Sequence, residues 1–268
     1  MKPPLPHDRK DWQALSALIG LVSVTGMLEG QRPQSIMVVG APASGKSVLL
    51  ERYLARSGDL VNPHLQFTTS VTQMGIRQIL AKQHRPTHLV VPEFQTLILR
   101  KSHVWDTLLG ILLPAMEEGI TDFWSGSEKV QFHGAKLGLI AAMTTAALQE
   151  HQEMLTKSGF LSRMLVVHLN RSPDDALRAR KCANAGDHSE LRKINVSVPS
   201  RPVRISLARR LADRIDDYAA QLNPHELHRE SNRFQALTRA VAYVQGSREA
   251  QGKHFDWLLQ YEELWRAR

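Results

Sequence analysis

The segment 35–56 reads SIMVVGAPASGKSVLLERYLAR and contains an apolar run, a turn with two glycines and a second apolar stretch. Residues 35–39 form a short apolar run with two valines, which is typical of a buried strand. The turn that follows, 40–47, fits the pattern G-x-x-x-x-G-K-[ST] at every position, and a helix is predicted after it through about Arg56. Strand, glycine-containing turn and helix therefore succeed one another in the order that a phosphate-binding loop requires.

The turn 40–47 has the chemistry that a nucleoside triphosphate needs. Its glycines allow the backbone to approach phosphate oxygens closely, and its amide N–H groups precede a helix. Lys46 would place a cation on the β- and γ-phosphates, and the Ser47 hydroxyl would be a ligand of Mg²⁺. A glycine turn without a ligand is the alternative. We expect ATP and Mg²⁺ as cofactors, with nucleotide contacts from Gly40, Ala41, Pro42, Ala43, Ser44, Gly45, Lys46, Ser47 and Val48.

A second acidic group is expected beside the phosphates, at the end of a neighbouring strand. The run 89–94, LVVPEF, offers Glu93 just after a predicted strand, where a carboxylate can polarise the attacking water. Pro92 precedes it; proline is tolerated at a strand end but supplies no carboxylate. The alternatives are therefore a weaker affinity for Mg²⁺ or a substitute acid elsewhere. An ordinary surface position for Glu93 is a further alternative.

Short apolar runs alternate with helical patterns along the first 170 residues. Strands are predicted at 35–39, 65–68, 87–91, 137–143 and 164–169, and helices at 11–29, 71–82, 95–118 and 146–155. The helix 95–118 contains Pro114, which can break it. This alternation predicts an α/β fold, with a mainly parallel sheet covered by helices on both faces.

Composition excludes several classes of protein. Hydrophobic residues make up 43% and charged residues 22% of the 268 residues, which is typical of a globular protein rather than a disordered or fibrous one. No apolar run reaches the roughly 18–20 residues of a membrane span. Residues 1–6 lack the apolar region of a signal peptide, and the single cysteine, Cys182, allows no internal disulfide. We expect a cytoplasmic protein without a membrane partner.

The charge of the chain suggests an anionic partner. There are 34 Lys and Arg against 26 Asp and Glu, for a formal net charge of +8. Residues 171–210 alone contain ten basic and four acidic residues. Such a segment favours nucleic-acid contact, and a solvated connector is the equally weighted alternative.

Taken in order, these residues resemble the AAA+ family of P-loop ATPases, well over 35–170 and loosely over the remaining helices. The turn 40–47 resembles the family's Walker A loop, and 89–94 resembles its Walker B strand. Residues 139–145, LIAAMTT, resemble the sensor 1 strand, with Thr144 at its polar tip and Thr145 as the alternative. Residues 159–164, GFLSRM, resemble the segment that holds an arginine finger. The resemblance implies a P-loop NTPase fold and places Arg163 at a neighbouring subunit's γ-phosphate.

Residues 117–133 are similar to the pre-sensor 1 hairpin of the MCM-helicase and sigma-54-activator side of this family. Residues 120–124 and 129–133 flank Ser125-Gly126-Ser127, which is typical of a β-hairpin. In MCM-like relatives the hairpin faces a central pore and touches DNA, which implies nucleic-acid contacts for Phe123, Trp124 and Lys129. A hairpin that packs on its own core or touches protein is the alternative.

The chain changes character after Asn170. Residues 171–203 are polar and contain three prolines, as in a linker, and helices are predicted at 204–222, 230–245 and 254–266. These helices resemble the AAA+ lid, which implies a sensor 2 arginine; Arg233 is the first choice and Arg239 a close rival. The expected organisation is an N-terminal helical arm (1–34), a nucleotide-binding core (35–170), a basic linker (171–203) and a helical lid (204–268).

The function favoured by these features is an ATP-hydrolysing motor or switch that assembles with itself, as an open oligomer or a ring such as a hexamer, and acts on nucleic acid. The catalytic residues would be Glu93, Lys46, Arg163 and Thr144. A protein-remodelling or regulatory ATPase is one alternative, and a nucleotide-binding scaffold with little turnover is another. A small-molecule kinase fits less well, because of the hairpin and the trailing helices. A zinc site is not favoured, since His225-Glu226-Leu227-His228 is one residue short of H-E-x-x-H.

Overall fold

The computed structural model of the protein describes residues 10–50, 64–81, 87–99, 102–125, 128–169 and 198–266. The strands are β1 (Ile36–Gly40), β2 (Leu65–Phe67), β3 (His88–Val91), β4 (Ile120–Ser125), β5 (Glu128–Ala135), β6 (Gly138–Thr144), β7 (Leu165–Leu169), β8 (Ser206–Leu207) and β9 (Glu249–Ala250). The helices are α1 (Lys10–Thr25), α2 (Lys46–Val48), α3 (Gln73–Leu80), α4 (Gln95–Ile98), α5 (Ser102–Met116), α6 (Thr145–Lys157), α7 (Arg209–Leu222), α8 (Leu227–Val244), α9 (Gly252–Leu259) and α10 (Glu263–Arg266). The predicted helical residues 51–56 lie outside the described ranges.

Five strands form one parallel sheet in the order β2-β3-β6-β1-β7. Strand β1 runs beside β6, from Ile36 opposite Ile140 to Gly40 opposite Thr144, and beside β7 on its other side. Because the strands are parallel, their carboxyl ends meet at one edge, the carboxyl edge, and their amino ends at the other, the amino edge. Helices flank this sheet, so the predicted α/β fold with a parallel sheet is confirmed.

The side chains of β1 alternate between the two faces of the sheet. Ile36 and Val38 belong to an apolar cluster with α1 and α7–α10, whereas Met37 and Val39 belong to a cluster with α3–α6. All four side chains are fully buried, and each contributes roughly 1.5–3 kcal/mol of burial free energy. Burial on both faces explains why the run is continuously apolar rather than alternating.

The C-terminal helices share a core with the sheet. Phe234 of α8, Phe255 of α9 and Trp265 of α10 lie in the same apolar cluster as β1 and α1. Tyr218 of α7 joins them: its ring meets Phe234 edge-on, and its hydroxyl accepts a 3.0 Å hydrogen bond from Trp265 Nε1. The segments predicted as arm and lid therefore pack together on one face of the sheet, which belongs to the predicted core.

The end of the predicted linker is joined to the chain between α1 and β1. Val203 N donates to Met27 O at 2.8 Å, and Glu29 N donates to Val203 O at 2.9 Å. Residues 170–197, which include Cys182 and most of the predicted linker, lie outside the described ranges. Among the described residues, no helix combines the length and the apolar character that a membrane crossing requires.

The region predicted as one helix, 95–118, differs from that prediction. It forms two helices, α4 and α5, and Pro114 lies within α5 without breaking it. Proline removes one main-chain donor, and Pro114 stands in the last turn, where its carbonyl accepts from the N–H groups of Glu117 and Gly119. The hairpin prediction that follows is confirmed, since β4 and β5 pair antiparallel.

Candidate functional site

The turn 40–47 lies at the carboxyl edge, directly after β1, an interior strand of the sheet. Gly40 is flanked by Thr144 of β6 and Leu169 of β7. A Cβ on Gly40 would lie 2.9 Å from the Leu169 carbonyl oxygen, so the close approach of β7 requires glycine there. Gly45 and Ala43 have φ angles of +85° and +58°, in the left-handed region. The turn thus follows a tight path that an ordinary helix or strand does not adopt.

Lys46 points back into the turn. Its Nζ donates to Gly40 O at 2.9 Å, to Ala41 O at 2.7 Å and to Ser44 Oγ at 3.1 Å. These three bonds use the three donors of the ammonium, and all three acceptors are neutral. The side chain is 7% exposed, and this burial lowers the pKa of Lys46 below its usual value. An anion at this position would therefore be a stronger acceptor than those that the turn itself provides.

Ser47 connects the turn to the end of β3. Its Oγ donates to the main-chain oxygen of Pro92 at 3.3 Å, and Pro92 is buried. Hydroxyl and carbonyl oxygens suit Mg²⁺, but the carboxylate that usually helps to hold this ion is missing at position 92. Among the described residues, no group of three or more His, Cys, Asp or Glu side chains could hold a metal ion.

Glu93 and Thr144 lie at the same edge as the turn. Strand β6 stands between β1 and β3, so Thr144 is placed between the turn 40–47 and Glu93. The Glu93 side chain is exposed. The Thr144 hydroxyl accepts from Ala147 N at 3.2 Å and so caps α6, which leaves its proton for another acceptor. Gln95 Oε1 accepts from Thr144 N at 3.1 Å and ties the two strand ends together, a contact that the sequence did not reveal.

Arg163 lies at the amino edge, in the short 3-10 turn before β7. Its Nη2 is 2.7 Å from Glu117 Oε2, and its Nη1 donates to Gly159 O at 2.8 Å. Leu165 N donates to Ser35 O, immediately before β1. The five residues of β1 therefore place roughly 16 Å of strand between Arg163 and the turn 40–47 of its own chain.

Glu117 accepts from arginines of three separate segments. Besides Arg163, Arg32 Nη1 lies 3.1 Å from Oε1, and Arg229 of α8 contacts both oxygens, through Nε at 2.7 Å and Nη2 at 3.1 Å. Burial of the carboxylate opposes its ionisation, but the hydrogen bonds from Arg229 and Arg32 and the charge of Arg163 outweigh it and lower the pKa of Glu117 to about 2. Arg32, Glu117, Arg163 and Arg229 are called the amino-edge cluster below.

The two candidate sensor 2 arginines also lie toward the amino edge. Arg233 is buried; its Nη1 lies 2.6 Å from Glu230 Oε2, and its Nη2 donates to Ser162 O at 2.9 Å. Arg239 Nε donates to Ile205 O at 3.2 Å. A contact between Arg233 and a nucleotide on the turn of the same chain would require both of its bonds to break.

The residues predicted to touch nucleic acid are described only in part. Phe123 and Trp124 are in β4 and Lys129 is in β5, with Trp124 opposite Lys129, and only their backbone is described. Within the basic segment 171–210, the described residues include four arginines, all with exposed side chains: Arg201, Arg204, Arg209 and Arg210.

Comparison with models of known protein families gives no match. Curated proteins give none either.

Proposed function

We propose that the protein binds ATP on the turn 40–47 and hydrolyses it, as an ATPase that resembles the AAA+ family. The observation that supports this most is the Lys46 ammonium, which is buried inside a complete phosphate-loop motif and donates only to neutral oxygens. The turn stands at the carboxyl edge of the parallel sheet, directly after the interior strand β1, and ligands of open α/β sheets bind at this edge.

In this proposal, a water molecule attacks the γ-phosphorus in line with the bond to the leaving ADP. Glu93 orients the water and accepts its proton, and Lys46 neutralises charge on the β- and γ-phosphates. Thr144, next to Gly40, donates its hydroxyl proton toward the attacked phosphate. Mg²⁺, which Ser47 would help to hold together with phosphate oxygens, adds positive charge when it is bound.

Self-assembly is part of the proposal, because Arg163 is at the edge opposite the turn of its own chain. An arginine so placed reaches a triphosphate only if that triphosphate is bound to another copy. A ring, hexameric in one form, or an open oligomer would bring the amino edge of one subunit to the carboxyl edge of the next. Size measurement by light scattering with and without ATP tests this, and a monomer at all concentrations would contradict it.

A nucleic-acid partner is supported by the exposed arginines Arg201, Arg204, Arg209 and Arg210 and by the excess of basic residues. Hydrolysis should be stimulated by single- or double-stranded DNA, and the stimulation should fade as salt rises. A rate that does not respond to DNA at any salt concentration would instead favour a protein client for the ATPase.

A scaffold with little turnover is the second candidate function, and Pro92 with the exposed Glu93 favours it. Wild-type and Glu93→Gln proteins distinguish the two candidates. If hydrolysis is catalysed, the Gln variant loses at least about 100-fold in rate while ATP still binds. Equal and negligible rates would leave binding without catalysis.

The binding claim is tested with Lys46→Ala. We expect ATP affinity and turnover to fall at least about 100-fold, because the phosphates lose their fixed counter-charge. Lys157→Ala is the matched control, since Lys157 is an exposed lysine that pairs with Glu153 on α6, and it should leave both quantities unchanged. No ATP affinity in the wild type, or equal affinity in the Lys46 variant, would overturn the proposed function.

A further inference from the structure

Pro92 occupies the position where the resemblance to AAA+ proteins implies a carboxylate, and its carbonyl oxygen has a partner in the turn. Ser47 Oγ donates its proton to Pro92 O at 3.3 Å. A hydroxyl has one proton and two acceptor lone pairs, so this bond leaves both lone pairs of Ser47 available to a cation. The carbonyl thus orients the hydroxyl, as a carboxylate would, without supplying a negative charge.

Within the part of the chain that the structure describes, other acidic side chains are scarce at this edge. The described stretches that follow the sheet strands there are 40–50, 68–75, 92–99 and 144–149, and within them Glu93 is the single acidic residue. Glu93 is exposed and lies one residue beyond the position that contacts Ser47. Mg²⁺ in phosphate sites is usually held by one or two carboxylates in addition to phosphate oxygens. The described donor set offers the hydroxyl and lacks the carboxylate beside it.

Positive charge at the site comes instead from the protein. Lys46 is held in the turn by Gly40 O, Ala41 O and Ser44 Oγ, before any phosphate arrives. Its ammonium is close to the oxygens that a bound triphosphate would present, in a buried setting where a charge interaction is stronger than in water. The phosphates therefore have a counter-charge that does not depend on a metal ion.

On the basis of the proposed function, we infer that the Pro92 carbonyl replaces a carboxylate as the partner of Ser47, and that the site consequently binds its triphosphate with little dependence on Mg²⁺. The metal is held by phosphate oxygens and by Ser47, with a low affinity of its own. A carboxylate placed at position 92 should restore the missing negative charge and with it the dependence on Mg²⁺.

The experiment compares wild type, Pro92→Asp and Pro92→Asn in the full chain. Asp and Asn have nearly the same shape and both restore the main-chain N–H, so only the charge separates them. The affinity for a fluorescent ATP analogue is measured in EDTA and across a Mg²⁺ titration. We expect EDTA to change the affinity of wild type and Pro92→Asn by no more than about threefold. In Pro92→Asp, removal of Mg²⁺ should weaken binding by about tenfold or more, and the half-saturating Mg²⁺ concentration should fall about tenfold.

The outcomes test the inference about Mg²⁺ separately from the proposed binding of ATP. Loss of wild-type affinity by more than about threefold in EDTA would overturn the inference, since binding would then depend on the metal without a carboxylate at position 92. Identical Mg²⁺ dependence in the Asp and Asn variants would also overturn it. If the Asp variant does not fold, the wild-type measurement decides alone. No ATP binding by the wild type in either condition would overturn the proposed function itself.

Discussion

Positive charge is compensated differently at the two ends of the interior strand β1. At the carboxyl edge, the Lys46 ammonium is buried against two carbonyl oxygens and a hydroxyl. At the amino edge, the guanidinium groups of Arg32, Arg163 and Arg229 surround the carboxylate of Glu117. The first arrangement leaves a charge that an incoming anion can compensate, whereas the second offsets part of its positive charge with two carboxylates of the same chain, Glu117 and the Glu226 that also pairs with Arg229. The comparison separates a candidate binding site from a set of ion pairs that joins distant segments of the chain, called a brace below.

The cost of burial explains why the two regions differ. A buried cation whose acceptors are all neutral reduces the stability of the folded chain, as the lowered pKa of Lys46 indicates. A protein tolerates such a position where the binding of a ligand offsets this loss of stability. A carboxylate shared by arginines from distant segments joins those segments and needs no ligand. Variants at both edges of the sheet test this difference, from the largest expected effect to the smallest.

Arg163→Ala should produce the largest effect, a loss of roughly 10³-fold or more in the rate of ATP hydrolysis, because an arginine that reaches a neighbour's nucleotide stabilises charge in the transition state. Arg32→Ala is the matched control, since Arg32 pairs with the same carboxylate. Steady-state rates are compared at a concentration where the wild type is assembled. If both variants lose the same activity, Arg163 belongs to the brace and has no separate catalytic role.

Glu117→Gln should lower the free energy of unfolding by about 3 kcal/mol, because three arginines lose their shared counter-charge in a setting where the carboxylate is only 14% exposed. Urea denaturation measures the change. Glu153→Gln, which breaks the exposed pair with Lys157, should change stability by less than about 0.5 kcal/mol. Similar losses in the two variants would show that the amino-edge cluster contributes no more than a surface ion pair.

A second buried group at the amino edge should make stability depend on pH. His88 is fully buried, with Nε2 3.0 Å from Gln34 O, and burial lowers its pKa to about 4 from the usual value near 6.5. The unfolded chain takes up a proton on His88 at a higher pH than the folded chain does. Stability is therefore complete above about pH 6.5 and falls as the pH drops toward 4, by about 2 kcal/mol at pH 5.

Unfolding by urea at pH 7.5 and pH 5 measures this dependence. His88→Gln cannot take up a proton, so its stability should fall less between these two pH values than that of the wild type. His225→Gln, at an exposed position, should keep the wild-type difference. Glu117 titrates below this window, because the pKa of its carboxyl is lowered to about 2. If the His88 variant loses as much stability between pH 7.5 and pH 5 as the wild type does, the pH dependence comes from other groups. His64 and His254 are examples, because burial also lowers their pKa values.

Ala43→Gly should have the smallest effect, a gain of about 0.5 kcal/mol in stability. Ala43 is the one described residue other than glycine with a positive φ, and glycine relieves that strain at the expense of a more flexible unfolded chain. Ala146→Gly, at an exposed position in α6, should instead cost about 0.5–1 kcal/mol. Thermal unfolding measures both, and equal signs in the two variants would argue against strain in the turn.

The contacts that the sequence did not predict are those between distant segments. Glu117 lies 85 positions from Arg32 and 112 from Arg229, so no spacing pattern links them. The segment 159–164 indicated a role for Arg163 but did not indicate its ion pair with Glu117. Likewise, Gln95 stands two residues after Glu93, yet its bond to Thr144 N depends on the pairing of β3 with β6.

The helices after residue 204 illustrate the same limit. The prediction of helices here is confirmed at Arg209–Leu222 and Leu227–Val244, although residues 206–207 form β8 instead of the first helical turn. The prediction of one helix over 254–266 is wrong, since the structure divides this region into Gly252–Leu259 and Glu263–Arg266. The apolar faces of these helices could pack against one another in a separate lid or against the sheet, and the sequence pattern does not distinguish these two arrangements. In the structure Phe234 and Trp265 join the cluster of α1 and β1.

Local rules were enough for the strand 35–39, the turn 40–47 and the alternation that makes the sheet parallel, because backbone preference and hydrophobic period act between residues a few positions apart. The tertiary structure alone decided which distant groups meet: Glu117 with three arginines, and the Ser47 hydroxyl with the carbonyl of Pro92. Charge compensation depends on distance in space, and that distance is set by how strands and helices from remote parts of the chain pack together.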